Sequence, residues 1–486
     1  MPSFQKKNII WVYVFSLLFV LINSIFIANE DYSFLIVPFG LLAIFFGIFA
    51  LDKLLFLVVF LTPLSVTLKS LGLEQDFDMF VPTEPILVGI LIIFIFKLII
   101  EQNFDKKILN HPISWAIYIN VFWLLITSIT STIPLVSFKF LLVRIWFLAA
   151  FYFLATQIFR NKENFNRYIW LYIIPLLGVI FYTLSNHAAI GFFDQEAANK
   201  IMAPFYKDHT IYGAILAMYI PFLIGFAFNK KYYKPNMRFV AFAVLGILIV
   251  AIIFSYTRAA WLSLLGALAL WIIIKLKIKY YLVLGTAAGL LGIFLAFQTQ
   301  IMMELEENQQ DSSTNLTEHV KSMSNVSSDA SNLERINRWK SALRMYEERP
   351  FLGWGPGTYQ FNYAPFQMKR EKTIISTNAG DGGNAHSEYI GPMAESGLFG
   401  MISFALIAIA SIFTALRLYS YSKNKTVRFL SLTILMALVT YLLHGFLNNF
   451  LDTDKASVPF WGFIAMLVAL DVYHNKPEEE KSEEKG

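Results

Sequence analysis

Runs of about twenty apolar residues recur along almost the whole chain, parted by short charged breaks, and this is the repeat of α-helices crossing a bilayer. A helix rises 1.5 Å per residue, so about twenty residues bridge a hydrocarbon layer roughly 30 Å thick. With 57% of its 486 residues hydrophobic and only 15% charged, the composition departs from the roughly 25% charge of soluble domains. A soluble multidomain fold is excluded. The 39 basic and 34 acidic residues leave a net charge of +5 with no concentrated basic face, so nucleic-acid binding is not expected. The absence of cysteine removes disulfides, thiolate metal sites and cysteine nucleophiles.

Apolar runs at 8–27, 33–50, 52–66, 84–100, 112–130, 135–158, 166–185, 210–229, 239–256, 259–275, 280–298, 393–416, 429–447 and 457–473 predict an all-α polytopic membrane protein of about fourteen spans. The third run is short and opens with Asp52 and Lys53, so a twelve-span arrangement with an interfacial or re-entrant segment is the alternative. The first run lacks a small-residue cleavage site and is read as a retained helix. Alternate short loops carry the basic residues, among them Lys106 and Lys107, Arg160 and Arg167, Lys230 and Lys231, Lys275 and Lys277, then Arg417 and Arg428. By the positive-inside rule these loops and both termini face the cytoplasm. The short loops between them, near 28–32, 67–83, 131–134, 186–209 and 448–456, hold only Lys69, Lys200, Lys207 and Lys455.

This alternation divides the chain into spans over 1–298, an outer loop domain over 299–392, three further spans over 393–473 and a charged cytoplasmic tail over 474–486. The stretch 302–332 is acidic and rich in Ser, Asn and Gln, as expected of a loosely ordered segment. By contrast, 333–348 spaces Leu333, Ile336, Trp339, Leu343 and Tyr346 as one face of an amphipathic helix. No internal repeat is visible.

The residues able to carry chemistry gather on the outer side. Arg258, within Ser255-Tyr-Thr-Arg-Ala-Ala-Trp261, stands at a predicted span boundary, where an arginine serves either as a snorkelling anchor or as a ligand. Arg335 and Arg338, three apart on the amphipathic helix, form either a solvated face or, with Arg258, a clamp whose guanidinium forks match a diphosphate. Gly353-Trp-Gly-Pro-Gly357 lacks the Lys-Ser/Thr ending of a nucleotide loop and reads as a tight turn bringing backbone close to the membrane surface. The loose stretch Asn378-Ala-Gly-Asp-Gly-Gly-Asn384 leads into His386, placed as a base at the lipid interface. His187, His209 and His319 show no metal-ligand spacing, and no metal is expected. Asp208 and His209 read equally as a helix N-cap or a substrate contact. Arg144 is a lone midplane charge with no acid in its own run, and a transporter, which would show such residues on broken helices, is the disfavoured class.

His386-Ser387, nine residues, then Gly397-Leu-Phe-Gly400 resembles the histidine signature of the O-antigen ligase and polymerase superfamily. Arg335 through Trp339 to the Pro350–Gly357 stretch is similar to the family's R-x-x-x-W and P-x-x-G-x-G loop segments, and Arg258 to its arginine at the outer end of an earlier span. The likeness covers roughly 200–470; the family's usual count of about twelve spans leaves extra ones without a role. The resemblance implies a GT-C-like, metal- and cofactor-independent inverting glycosyltransferase of the bacterial inner membrane with its site on the periplasmic face. Its donor would be an undecaprenyl-diphosphate-linked glycan and its acceptor a lipid A-core sugar or another glycan, within membrane lipid. On this reading Arg258 and Arg335 hold the diphosphate and His386 activates the acceptor hydroxyl. Arg338, Trp339, Trp354, Tyr389 and His209 are the surrounding substrate contacts. A repeat-unit polymerase and a protein-glycosylating enzyme share the same motifs.

Overall fold

A computed structural model describes residues 2–30, 34, 36–72, 79–101, 104–279, 281, 282, 285, 289, 330–373, 376 and 383–475. It divides into two compact units, Met1–Leu54 and Leu55–Gly486. In the first, α1 (Pro2–Ala28) and α2 (Ile36–Phe49) are joined across Phe34, whose ring stacks on Phe19 and Phe26. The next helix, α3 (Leu51–Leu61), runs across the division. At 14 and 11 residues, α2 and α3 each fall short of the length that crosses a bilayer, so the expected separate spans at 33–50 and 52–66 are shorter elements.

The second unit holds α4 (Thr83–Glu101), α5 (Pro112–Ile129), α6 (Pro134–Phe147), α7 (Glu163–Ile190), α8 (His209–Phe228), α9 (Pro235–Phe254) and α10 (Arg258–Lys275). Then come α11 (Ala330–Glu348), α12 (Ile390–Tyr421), α13 (Lys425–His444) and α14 (Asp454–Ala469). Among the described residues 11 helices are long and apolar enough to cross a membrane. The run at 280–298 except 281, 282, 285 and 289, the acidic stretch 302–329 with His319, the loop at 377–382 and the tail 476–486 lie outside the described residues. One two-residue antiparallel ladder, Val66–Thr67 with Phe80–Val81, is the only described strand pairing.

Helix starts follow the sequence. Proline fills the first turn of α5, α6 and α9, where its missing N–H costs nothing. The Asp208 carboxylate caps α8, accepting from Thr210 N at 2.8 Å, and Asn424 caps α13, accepting from Thr426 N at 2.9 Å. Thus Asp208 takes the capping role that the sequence left open.

The innermost helix is α14, against which α8 and α13 pack. Small residues let the backbones close up: a Cβ at Gly213 would meet Thr257 at 2.6 Å, and one at Gly462 would meet the Tyr168 hydroxyl at 2.3 Å. Outward-facing Phe239 and Leu265 stay exposed, as on lipid-facing helices. At one end of α14 the buried Asp454 accepts from Ser65 and Thr83, each at 2.6 Å, while Lys455 donates to Ser65 Oγ at 2.6 Å and to the Thr62 carbonyl. At the other end, Asp471 pairs with Arg417 and lies 3.1 Å from His111. These polar ties fix the axial position of α14 because neither end can slide without stranding a buried group. Asp454→Ala is expected to lower unfolding stability of the detergent-purified protein by about 3–5 kcal/mol, read as a lowered thermal midpoint; an unchanged midpoint contradicts the role assigned to this network.

Candidate functional site

The histidine motif ends on a helix break. Within α12, Ser396 (φ −129°, ψ 16°) and Gly397 (φ 69°, ψ −174°) leave helical geometry, parting a short leading turn from the long apolar span. Gly397 is required twice over: its φ lies in the left-handed region, and a Cβ would stand 2.1 Å from the Phe351 carbonyl oxygen. Gly353, at φ +66°, meets Glu395 backbone with equal closeness. Gly355 N donates to Glu395 O at 2.7 Å, Trp354 N to Ala394 O at 3.2 Å and Leu398 N to Pro350 O at 3.1 Å. Trp123 Nε1 donates at 2.7 Å to the Ser396 carbonyl released by the break. The glycine-rich loop is the expected tight turn, but the backbone it approaches is that of α12.

His386 precedes this turn in the left-handed region, at φ 48°. Its N–H donates to Asn384 Oδ1 at 3.1 Å and its carbonyl accepts from Trp339 Nε1 at 3.4 Å. Ser387 Oγ accepts from Tyr389 N and Ile390 N, both at 3.2 Å, closing the first turn. Next in sequence, the buried Glu388 donates its N–H to Gly445 O at 2.8 Å. Its Oε1 accepts from Tyr441 OH at 2.6 Å, Phe450 N at 2.8 Å and Leu451 N at 3.0 Å. The carboxylate anchors the histidine loop to the connection between α13 and α14.

Arg335 and Arg338, neighbours on α11, meet different surroundings. Arg338 is buried; its Nε donates to Glu334 Oε1 at 2.7 Å, its Nη1 to Asn384 O at 3.4 Å, and its guanidinium lies 4.7 Å from the Tyr363 ring centre. Burial opposes charge on Glu334, but hydrogen bonds from Ser376 and Arg338 outweigh it and hold the carboxyl below its usual range. Arg335 is more open and donates through Nε to Leu447 O at 3.2 Å. Trp354 spans the loop with Nε1 on Met345 O at 3.0 Å, a stacked Arg349 and the Phe366 ring. Tyr389 donates to Leu442 O at 3.1 Å and stacks on Phe446 at 4.3 Å. Trp354 and Tyr389 are thereby held by packing.

The ends of α8, α10 and α13 complete the cluster. Thr257 Oγ1 donates to His209 O at 2.7 Å, tying the start of α10, where Arg258 sits, to the start of α8. His444, the last residue of α13, lies 3.1 Å from Asn448 and within the fields of Arg335, Asp208 and His209; the backbone of Ala259 acts on its ring. Arg335 and Asp208 act on His386 too, so the two histidines share one neighbourhood with both arginine-bearing helices. Glu388 and His444 were missed in the sequence because neither stands at a motif spacing. His187, by contrast, is buried among Phe192, Phe254 and Tyr256 and bonds Asp194 O at 3.0 Å. Among the described residues no three His, Cys, Asp or Glu side chains are grouped as a metal site.

Residues 241–405 match the family model described as O-antigen ligase. Over this stretch the chain is similar to the O-antigen ligase superfamily. The matched stretch carries Arg258, Arg335, Arg338, Trp339, Trp354, His386 and Tyr389, while His209 and His444 reach the same cluster from outside it. No curated protein matches the chain.

Within the matched stretch, burial first and then the charges of Arg335 and Arg338 push the His386 imidazole down to about 4, against partial opposition from Asp208 and Glu334. A lowered value means the ring is neutral above about pH 4, keeping a nitrogen lone pair at neutral pH. In an NMR titration of histidine-labelled protein the His386 signal should therefore stay constant from pH 8 to pH 5; a midpoint near the ordinary 6.5 contradicts the burial and charge described. Gly397→Ala should destabilise the protein by about 2 kcal/mol or more, from left-handed strain plus the clash with Phe351; a thermal midpoint equal to the parent's contradicts this.

Proposed function

We propose that the protein transfers a glycan from a polyprenyl-diphosphate carrier, undecaprenyl diphosphate in a bacterial inner membrane, to a sugar of the lipid A core. The observation that carries this reading is the convergence of Arg335 and a neutral, partly buried His386 beside the helix ends bearing Arg258 and His209. The family match and the rim of long apolar helices, where a lipid carrier's tail remains in the bilayer, support it. The alternation of Lys and Arg along the loops favours the periplasmic side for this rim, in a GT-C-like arrangement.

In the proposed reaction the acceptor hydroxyl oxygen attacks the anomeric carbon from the face opposite the diphosphate, with inversion. Its proton passes to the imidazole of His386 as the new C–O bond forms. The bond from the anomeric carbon to the diphosphate breaks, and the leaving oxygen takes the electron pair. Arg335 and Arg258 stabilise that oxygen's growing charge, an interaction stronger in the transition state than in the ground state. A positioned base typically contributes about 10²–10⁴-fold. The hydrogen bonds that hold Arg338, Trp354 and Tyr389 give them a supporting role around the clamp.

In a deletion strain, complementation with His386→Ala or Arg335→Lys should leave polysaccharide unattached to lipopolysaccharide on gels, with the lipid-linked polymer accumulating. Attachment at the parental level by His386→Ala overturns the assignment; single repeats attached in the deletion strain indicate a polymerase instead. Arg335→Lys should retain the parental thermal midpoint. Arg338→Ala, which removes the only cation paired with buried Glu334 among the described residues while Ser376 and Thr373 still donate to it, should lower stability by about 2 kcal/mol or more.

A further inference from the structure

Behind the histidine loop lies a small cavity, partly open to solvent, lined by Asn384, Ala385, Ser387 and Glu388 of that loop and by Arg144, Phe140, Tyr359, Glu395, Asn449 and Asp452. The functional reading above makes no use of it. Arg144, on α6, is only 8% exposed, yet among the described residues its guanidinium makes no hydrogen bond and no ion pair; its close neighbours are the Phe140 and Trp461 rings. Glu388 and Asp452 act on it from beyond ion-pair distance. The buried Asn449 Oδ1 also lacks a partner. A buried guanidinium carries five donors, and leaving them unmade is costly in a folded protein. Such a site is built for a guest.

The lining decides what kind of guest. It presents one cation among three carboxyl groups, Glu388, Glu395 and Asp452, so a phosphate or other anion entering beside Arg144 meets mostly acceptor oxygens on its other sides. A hydroxyl group both accepts and donates, so a polyol can accept from Arg144 while donating to Asp452 and Asn449 Oδ1. Phe140 and Tyr359 add apolar carbon to the lining, against which the C–H groups of a sugar can pack. The cavity also shares Ser387 and Asn384 with the loop that holds His386.

We propose that this cavity is the subsite for an uncharged sugar ring of the acceptor, with Arg144, Asn449 and Asp452 as its polar contacts. The inference rests on the glycosyl-transfer reading and adds to it a separate, acidic compartment for the acceptor, away from the diphosphate.

The test uses the full-length protein in proteoliposomes, with polyprenyl-diphosphate-linked glycan and rough lipopolysaccharide from the deletion strain as the two substrates. Asp452→Asn and Asn449→Ala should each raise the apparent KM for rough lipopolysaccharide about tenfold, the scale of one lost hydrogen bond to a sugar, leaving the donor KM within about twofold. Arg144→Gln should raise it further, and because Arg144 is buried its result counts only where the thermal midpoint is retained; the other two variants carry the test regardless. Unchanged acceptor KM in Asp452→Asn and Asn449→Ala, or a rise in donor KM instead, overturns the proposal. His386→Ala is run alongside: if it stays active, the glycosyl-transfer assignment of His386 fails, and if it is inactive while the cavity variants behave as parent, only the subsite is lost.

Discussion

The position of His386 depends on a carboxylate two residues further on. Glu388 is buried, and its Oε1 collects donors from Tyr441, Phe450 and Leu451 while its own N–H reaches Gly445. A carboxylate accepting several hydrogen bonds in a low-dielectric interior is stable only while all of them are made. The loop 383–389 is thereby tied to the turn between α13 and α14, and Leu447, on that turn, accepts from Arg335. His386 and Arg335 are set relative to one another through the same short connection.

The glycines act at the next level. Gly397 breaks α12 and Gly353 lets the outer loop lie against the break, so the leading turn of α12 packs onto the loop while the remainder crosses with the bundle. The polar clusters at the two ends of α14 keep that bundle in axial register. The proposed transfer needs such preorganisation, because each ångström of misplacement weakens both proton transfer and charge stabilisation.

The long spans were legible in the sequence because hydropathy alone determines them; α4 through α10 and α12 through α14 stand where the apolar runs lie. The same measure read 33–50 and 52–66 as two crossings, since it sees apolarity and not the halt of α2 at Phe49. The motif located His386 and Gly397, but not the left-handed φ and carbonyl contact that make Gly397 necessary. Arg335 and Arg338 were indistinguishable by spacing of three, although Glu334, four residues before Arg338, was a readable sign that Arg338 has an ion-pair partner. Arg144 looked isolated because Glu388 and Asp452 approach it from more than two hundred residues away. Long-range approach of single charges leaves no periodic trace in a sequence.

In the proposed reaction one rim site places a diphosphate between the arginine-bearing helices and a neutral histidine beside the acceptor. Cryo-electron microscopy of the protein in a lipid nanodisc with a polyprenyl-diphosphate-linked sugar tests it most directly. The account predicts diphosphate density against the guanidinium groups of Arg335 and Arg258, with the His386 ring facing the anomeric carbon. Diphosphate bound elsewhere, or seated in the acidic cavity beside Arg144, would contradict it.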